Sequence, residues 1–239
     1  TIPKSVTEIG YQAFRNCSSL ESVVLSEETT KIGKEAFYLC TSLKNITIPK
    51  SVTKILNHAF GSCCSLESIV IPKGVTNINE HAFTGCVSLK NVIIPEGVTN
   101  IYDHAFAGCT SLESVTIPES VTVIWNGVFK ECTSLKSATI PESVTEIGES
   151  AFYRCASLES IVIPKGVKKI WPFAFSHCTS LTTVTLPVGV NDIACSVFFC
   201  CWALATIYVP AKKADYYKRR LPELRDKIVE LEPEKKAKK

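Results

Sequence analysis

Phenylalanine recurs at Phe14, Phe37, Phe60, Phe83, Phe106, Phe129, Phe152, Phe175 and Phe198, every 23 residues without a slip. Cysteine keeps the same interval from Cys17 to Cys201, leucine from Leu20 to Leu204 and isoleucine from Ile9 to Ile193. Pro3 opens a further column that reaches Pro210 with one break, at Ser26. A fixed period of this length argues against an ordinary globular domain, because each copy is too short to bury its own apolar face and must cover it with the next copy. Nine copies of PxxVTxIxxxAFxxCxSLxxIxI therefore predict a solenoid over residues 1–210.

The unit itself specifies the class of solenoid. Leu112, Val115 and Ile117 have the LxxLxL spacing in which the last two apolar side chains alternate with outward ones along a short strand. Pro118 then ends that strand, and Val121 and Ile124 begin the return side. Ala105, Phe106 and Cys109 have the one-sided spacing of a single helical or 3-10 turn. The fold class is thus an α/β repeat: a leucine-rich-repeat solenoid with a parallel β-sheet on the concave face and short helical or 3-10 turns elsewhere. Strands stacked about 4.8 Å apart give a ladder roughly 40 to 45 Å long.

Composition narrows the functional classes. Apolar residues make up 46% and charged residues 21% of the chain, the balance of a folded protein. The net charge of +3 is spread along the chain apart from its end, which argues against nucleic acid as a partner. No window approaches the ~18 apolar residues of a membrane-spanning helix. GxSxG, HExxH, P-loop and GxGxxG motifs are absent, and identical rungs offer no single place for catalytic groups to converge, so neither an enzyme nor a cofactor is expected.

The pattern AFxxCxSLxxIxIPxxVxxI, standing at Ala151 to Ile170 and recurring in the other units, resembles the BspA-like, Treponema-type leucine-rich repeats over residues 1 to about 210. Members of that family are typically surface-exposed or secreted microbial proteins implicated in attachment to host matrix proteins and other cells. The resemblance implies the same here: a cell-surface, periplasmic or secreted adhesin-like protein whose partners are proteins, extracellular matrix proteins among them. It names no ligand.

Nine of the twelve cysteines occupy one column, three residues before the core leucine, where a small thiol packs and donates weakly to backbone carbonyls. Side chains in a ladder point the same way, whereas a disulfide needs converging Cβ atoms, so the column is expected to be reduced. Cys64, Cys195 and Cys200 lie outside it. Cys200 stands one period after His177, which would bring these two residues and Cys195 together as a candidate soft metal group; no CxxC or HxxxH pair accompanies them, and no metal site is assigned. His58, His81 and His104 form a column of their own, explained by duplication of a turn, with a metal or a pH-sensitive stack as the competing readings.

The concave-face positions are the first choice for ligand binding: Ser68, Val70, Asn91, Ile93, Ser114, Thr116, Ser137, Thr139, Ser160, Val162, Thr183, Thr185, Thr206 and Tyr208. Their chemistry is bland, because Trp, Tyr and Arg usually concentrate interface energy and only Tyr208 qualifies. Many weak contacts are expected. Beside that face the signs alternate through Glu21, Lys44, Glu67, Lys90, Glu113, Lys136 and Glu159, a structural column that fixes register. A second-choice binding region is aromatic and lies toward the C-terminal end: Trp171, Phe173, Phe199 and Trp202.

Both ends of a solenoid expose core and strand edges. Residues 211–231 break the repeat and are read as a helical cap with a short closing strand around Ile228 to Leu231; residues 232–239 form a Lys-rich tail expected to be disordered. Thr1-Ile2-Pro3 begins inside a strand and the chain contains no Met, so no signal peptide is in view. Either an upstream segment covers the first rung or two molecules cover each other there through Ile2, Val6 and Ile9. The second case makes a homo-oligomeric scaffold the alternative to a binding module.

Overall fold

A computed structural model describes residues 1–232, and the remainder of the Lys-rich tail lies outside the described residues. Each 23-residue unit makes one turn of a coil with three sides. On the first side are three-residue strands, such as Ser114–Thr116 and Ser137–Thr139, paired in parallel with Ser114 opposite Ser137 and Val115 opposite Ala138. Short two-residue strands form the second side, running from Glu8–Ile9 to Asp192–Ile193 as one parallel sheet of nine strands in sequence order. Register is set by the isoleucine column, in which Ile124 lies opposite Ile147 and Ile147 opposite Ile170.

The third side carries the AFxxC segment. Its alternate residues close three-residue turns of the 3-10 type: Ala105 N donates to Tyr102 O at 3.2 Å, Ala107 N to His104 O at 3.1 Å and Cys109 N to Phe106 O at 3.2 Å. The residues between them bond to the next rung instead, with His104 N on Asn126 O at 2.9 Å, Phe106 N on Val128 O at 3.0 Å and Gly108 N on Lys130 O at 2.7 Å. The turn is therefore half local and half ladder, which is why it does not develop into a helix. This alternation needs left-handed backbone at fixed positions. His58 (φ 56°), Ser62 (φ 58°) and Gly108 (φ 72°) supply it, although only glycine adopts that region without strain.

Inside the coil the columns stack. The rings from Phe14 to Phe198 lie 5.2 to 5.8 Å apart between neighbours, nearly parallel, a spacing suited to offset stacking. Phe37 to Phe175 are fully buried together with Leu43 to Leu181. Each column cysteine from Cys40 onward donates its thiol to the phenylalanine carbonyl of the preceding rung, as Cys132 Sγ does to Phe106 O at 3.2 Å. That carbonyl thus receives a second donor besides the local Cys109 N, and the thiol hydrogen is satisfied in the core.

The C-terminal end is closed by helix α1 (Ala214–Arg220), a 3-10 turn (Pro222–Lys227) and the strand Ile228–Glu230, which pairs in parallel with Thr206–Val209. Tyr217 is fully buried, and its hydroxyl donates to Pro187 O at 2.5 Å. Glu230 accepts from Ala214 N at 2.9 Å, supplying from the closing strand the acceptor that Lys213 does not provide at the start of α1. On the first rung Ile2, Val6, Phe14 and Leu20 are half-buried. Ile9 departs from the sequence reading: at 3% exposure it is sealed beneath Ile32 of the next rung and takes no part in any exposed contact surface.

A ring in mid-stack has neighbours on both faces, whereas Phe14 has one. Phe106→Ala is expected to cost about 3 to 5 kcal/mol, the range for truncating a buried phenylalanine, and Phe14→Ala clearly less. Urea unfolding followed by circular dichroism should show the larger midpoint shift for Phe106→Ala.

Candidate functional site

The outward positions of the three-residue strands form a continuous surface. Ser68, Asn91, Ser114, Ser137 and Ser160 are exposed, as are Val70, Ile93, Thr116, Thr139 and Val162. Thr183, Thr185, Thr206 and Tyr208 are only half-buried, since the surface becomes more covered as the chain enters the cap. Val70 lies directly opposite Ile93, and the two are 61% and 63% exposed, so a branched apolar ridge stands in solvent between serine and asparagine positions. Two clefts follow the proline edge of this surface. One, of about 1000 Å³, is lined by Thr47, Val70, Pro49, Pro72, Lys50 and Lys73; the other, of about 780 Å³, by Val162, Thr185, Pro164, Pro187, Lys165 and Lys168. The sequence reading did not single out these lysines; Lys50, Lys73 and Lys165 stand one residue after a proline and Lys168 four after Pro164, and all needed the fold to join them to the strand face.

Beside the strands the alternating charges pair in twos: Lys44 with Glu21 at 3.2 Å, Lys90 with Glu67 at 3.7 Å and Lys136 with Glu113 at 3.2 Å. All six side chains are more than half exposed, so each pair contributes at most about 1 kcal/mol.

The second-choice aromatic residues divide into two places. Phe199 and Trp202 line a cleft of about 510 Å³ between the last rung and the cap, with Cys195, Cys200, Leu221 and Leu224; Trp202 is 77% exposed. Trp171 and Phe173 lie elsewhere, just after the two-residue strand Lys169–Ile170. Trp125, which the sequence reading passed over, is equally exposed and occupies the same column as Trp171.

His177 and Cys200 are neighbours along the ladder, yet the imidazole is turned toward rings, 5.1 Å from Tyr153 and 5.8 Å from Phe199, with Ser176 Oγ 2.9 Å from Nδ1. Cys195 and Cys200 share the cap cleft, and among the described residues no group of three His, Cys, Asp or Glu side chains is placed to hold a metal ion. His58, His81 and His104 stack with centroids 4.6 and 4.9 Å apart and planes within 12°. Parallel rings do not aim their nitrogens at one point, so this column is a stack rather than a chelate. Burial, followed by the neighbouring His81, holds His58 and His104 below the ordinary imidazole pKa; Glu35 and Glu80 oppose this at His58, and Asp103 opposes it at His104. Gly127 ends the stack, because a Cβ there would lie 2.7 Å from the His104 ring.

The chain matches the family described as BspA type leucine rich repeat region, in six copies over residues 1–113 and 99–219. It belongs to the BspA-type leucine-rich repeat family. A leucine-rich repeat protein of Treponema pallidum is similar at 32% identity over 84% of this chain and 83% of that one, with a TM-score of 0.65. A leucine-rich repeat protein from Bacteroides ovatus is similar at 26% identity over 97% and 77%, TM-score 0.52. The pneumococcal vaccine antigen PcpA shares the fold at 18% identity over 94% and 69%, TM-score 0.57. No curated protein matches the chain. The family fold is generally a non-enzymatic binding repeat, and among the described residues no helix is long and apolar enough to cross a membrane.

Two solution properties follow. His58 and His104 bind protons less readily in the folded chain, so between their folded-state pKa values and the ordinary value of about 6.5 the unfolded chain holds more protons. Stability contributed by the neutral stack is full above that window and falls as the pH drops through it. Melting temperature should decline from pH 7.5 to 5.5, and the decline should flatten in a His58→Gln/His104→Gln variant; Gln12 already occupies this left-handed position. Burial also pushes the Cys40 thiol up to about 11 and Cys63 and Cys109 higher. A disulfide reagent at pH 8 should modify only the exposed Cys17 and Cys195 and, more slowly, Cys64 and Cys200, with the eight buried thiols reacting after unfolding.

Proposed function

We propose that this chain is a protein-binding module of the cell exterior that holds its ligand across the strand face through many modest contacts. The observation that carries this reading is the Val70–Ile93 ridge, left in solvent between hydroxyl and amide positions and bordered by a lysine-bearing cleft. Single exposed valines are ordinary, but a paired row on one flat face makes a surface that a partner can dehydrate. The surrounding Ser68, Asn91, Ser114 and Ser160 offer donors and acceptors that ask little conformational entropy of the binder. Family membership supports the extracellular setting and the choice of extracellular matrix proteins as partners. Because the face lacks Trp and Arg, affinity comes from length of contact rather than from a few anchors. A second reading is favoured by one observation, the cleft containing Phe199 and Trp202, where an anchor residue is already in place.

Biolayer interferometry against immobilised fibronectin, laminin and collagen tests this. Val70→Lys/Ile93→Lys, both on exposed positions, should weaken binding at least about tenfold, equivalent to roughly 1.4 kcal/mol, with the melting temperature unchanged. Loss of binding in Trp202→Ala with the strand-face variant unaffected would move the site to the cap cleft. No binding to any of the three proteins would sink the reading.

A further inference from the structure

On the side of the two-residue strands, one column runs Tyr102, Trp125, Gly148, Trp171, one residue after the in-register Ile101, Ile124, Ile147 and Ile170. Trp125 and Trp171 are 38% and 39% exposed and stand two strand spacings apart, about 9.6 Å. Between them Gly148 is buried, packed so closely on the preceding rung that a Cβ would lie 2.7 Å from the Trp125 carbonyl carbon. Any side chain there is excluded, so this column places none between the two indoles.

Both rings are held. Trp125 packs against Tyr102 with centroids 5.7 Å apart; Trp171 carries Lys169 Nζ 3.6 Å from its centroid and donates Nε1 to Glu146 at 3.2 Å. Beside them Phe173, 38% exposed, has a left-handed φ of 59°, a conformation that a bulky ring rarely adopts. At that position other rungs place Glu35, three histidines, Gly127 and Ser150. An exposed ring at a strained position needs a reason beyond packing. Polar groups border the row: Asn126 accepts from Glu149 N through Oδ1 at 2.9 Å, and the Glu149 carboxylate has no hydrogen-bond or ion-pair partner among the described residues.

We propose that this row is a binding site for an extended β-linked glycan. Alternate sugars of a flat β-1,4-linked chain repeat over a distance close to two strand spacings. Every second sugar can then lay its C–H face on an indole while the intervening one spans the Gly148 rung, where this column carries no ring. The Glu149 carboxylate and the Asn126 amide are within the same two rungs and can take up the equatorial hydroxyls. Preformed rings lose little freedom on binding, which suits a ligand whose contacts are individually weak. A nucleic acid would want cations along the row, but Glu146 and Glu149 offset Lys169. The site lies away from the strand face and does not depend on protein binding there.

The test uses the full chain with Trp202→Phe, which leaves Trp125 and Trp171 as the only indoles. Their emission is titrated with the β-1,4-linked hexaoses of glucose, N-acetylglucosamine, xylose and mannose, and with α-1,4-linked maltohexaose. At least one β-linked hexaose should give a saturable change below about 5 mM and bind more tightly than its trimer. Isothermal titration with Trp125→Ala and with Trp171→Ala should show each weakening that affinity about tenfold or more, with circular dichroism unchanged. No change with any β-linked hexaose, equal affinity for maltohexaose, or undiminished binding by both alanine variants would overturn the proposal.

Discussion

His104, Phe106 and Gly108 give their amide hydrogens to the next rung, while the residues between them close turns within their own. The rest of the molecule depends on this division. A turn bonded only to itself would form a short helix free to tilt, and a turn bonded only to its neighbour would be a flat strand. Sharing the donors in alternation keeps the bend compact and at the same time fixes it to the rung ahead. The period of 23 residues then cannot slip, since a slip of one residue would send every bonded amide to a position facing the wrong way.

From that lock come the columns. Phenylalanine rings meet at 5.2 to 5.8 Å because the rungs that carry them are spaced by the ladder, not because the rings chose each other. The cysteine column is a consequence of the same geometry. Its thiol is small enough to sit beside the stacked rings and still reach back to the carbonyl of the previous phenylalanine, as Cys109 Sγ reaches Phe83 O at 3.3 Å. A serine would donate more strongly but would bring a second lone pair into an apolar core, and an alanine would leave the carbonyl with one donor fewer. Burial that raises the thiols from Cys40 to Cys155 also keeps them unreactive, so a cysteine-rich chain need not carry disulfides.

Much of this was legible in the sequence, because buried positions tolerate few residue types and therefore repeat them. Phe, Cys, Leu and Ile columns named the core, and Val115 with Ile117 named the inward side of the strand. The hydrogen bonding of the turn was not legible. It rests on left-handed backbone at Glu35, His58, Ser62 and Phe173, residue types that give no warning of a positive φ. Ile9 was read as an exposed contact although it belongs to the isoleucine column, whose other members are buried for the same reason. Trp125 was passed over because its column changes identity from rung to rung, through Gly33, Leu56, Asn79 and Tyr102. Its alignment with Trp171 becomes visible only when the register of the nine-stranded sheet is known.

Exposed columns differ from buried ones in what the ladder demands of them. Spacing is imposed on both, but outside the coil no neighbour requires any given side chain, so identities drift. Two kinds of surface result. On the strand face, hydroxyl, amide and branched apolar residues suit close packing of short parallel strands, and the surface stays even along its length. After the two-residue strands the chain turns away at once, larger groups fit, and Tyr102, Trp125, Trp171 and Phe173 collect within four rungs. The ladder thus converts a drift in sequence into an arrangement at fixed intervals. A ligand with its own regular repeat can match such an arrangement at several points, whereas a folded partner with an irregular surface gains more from the even strand face.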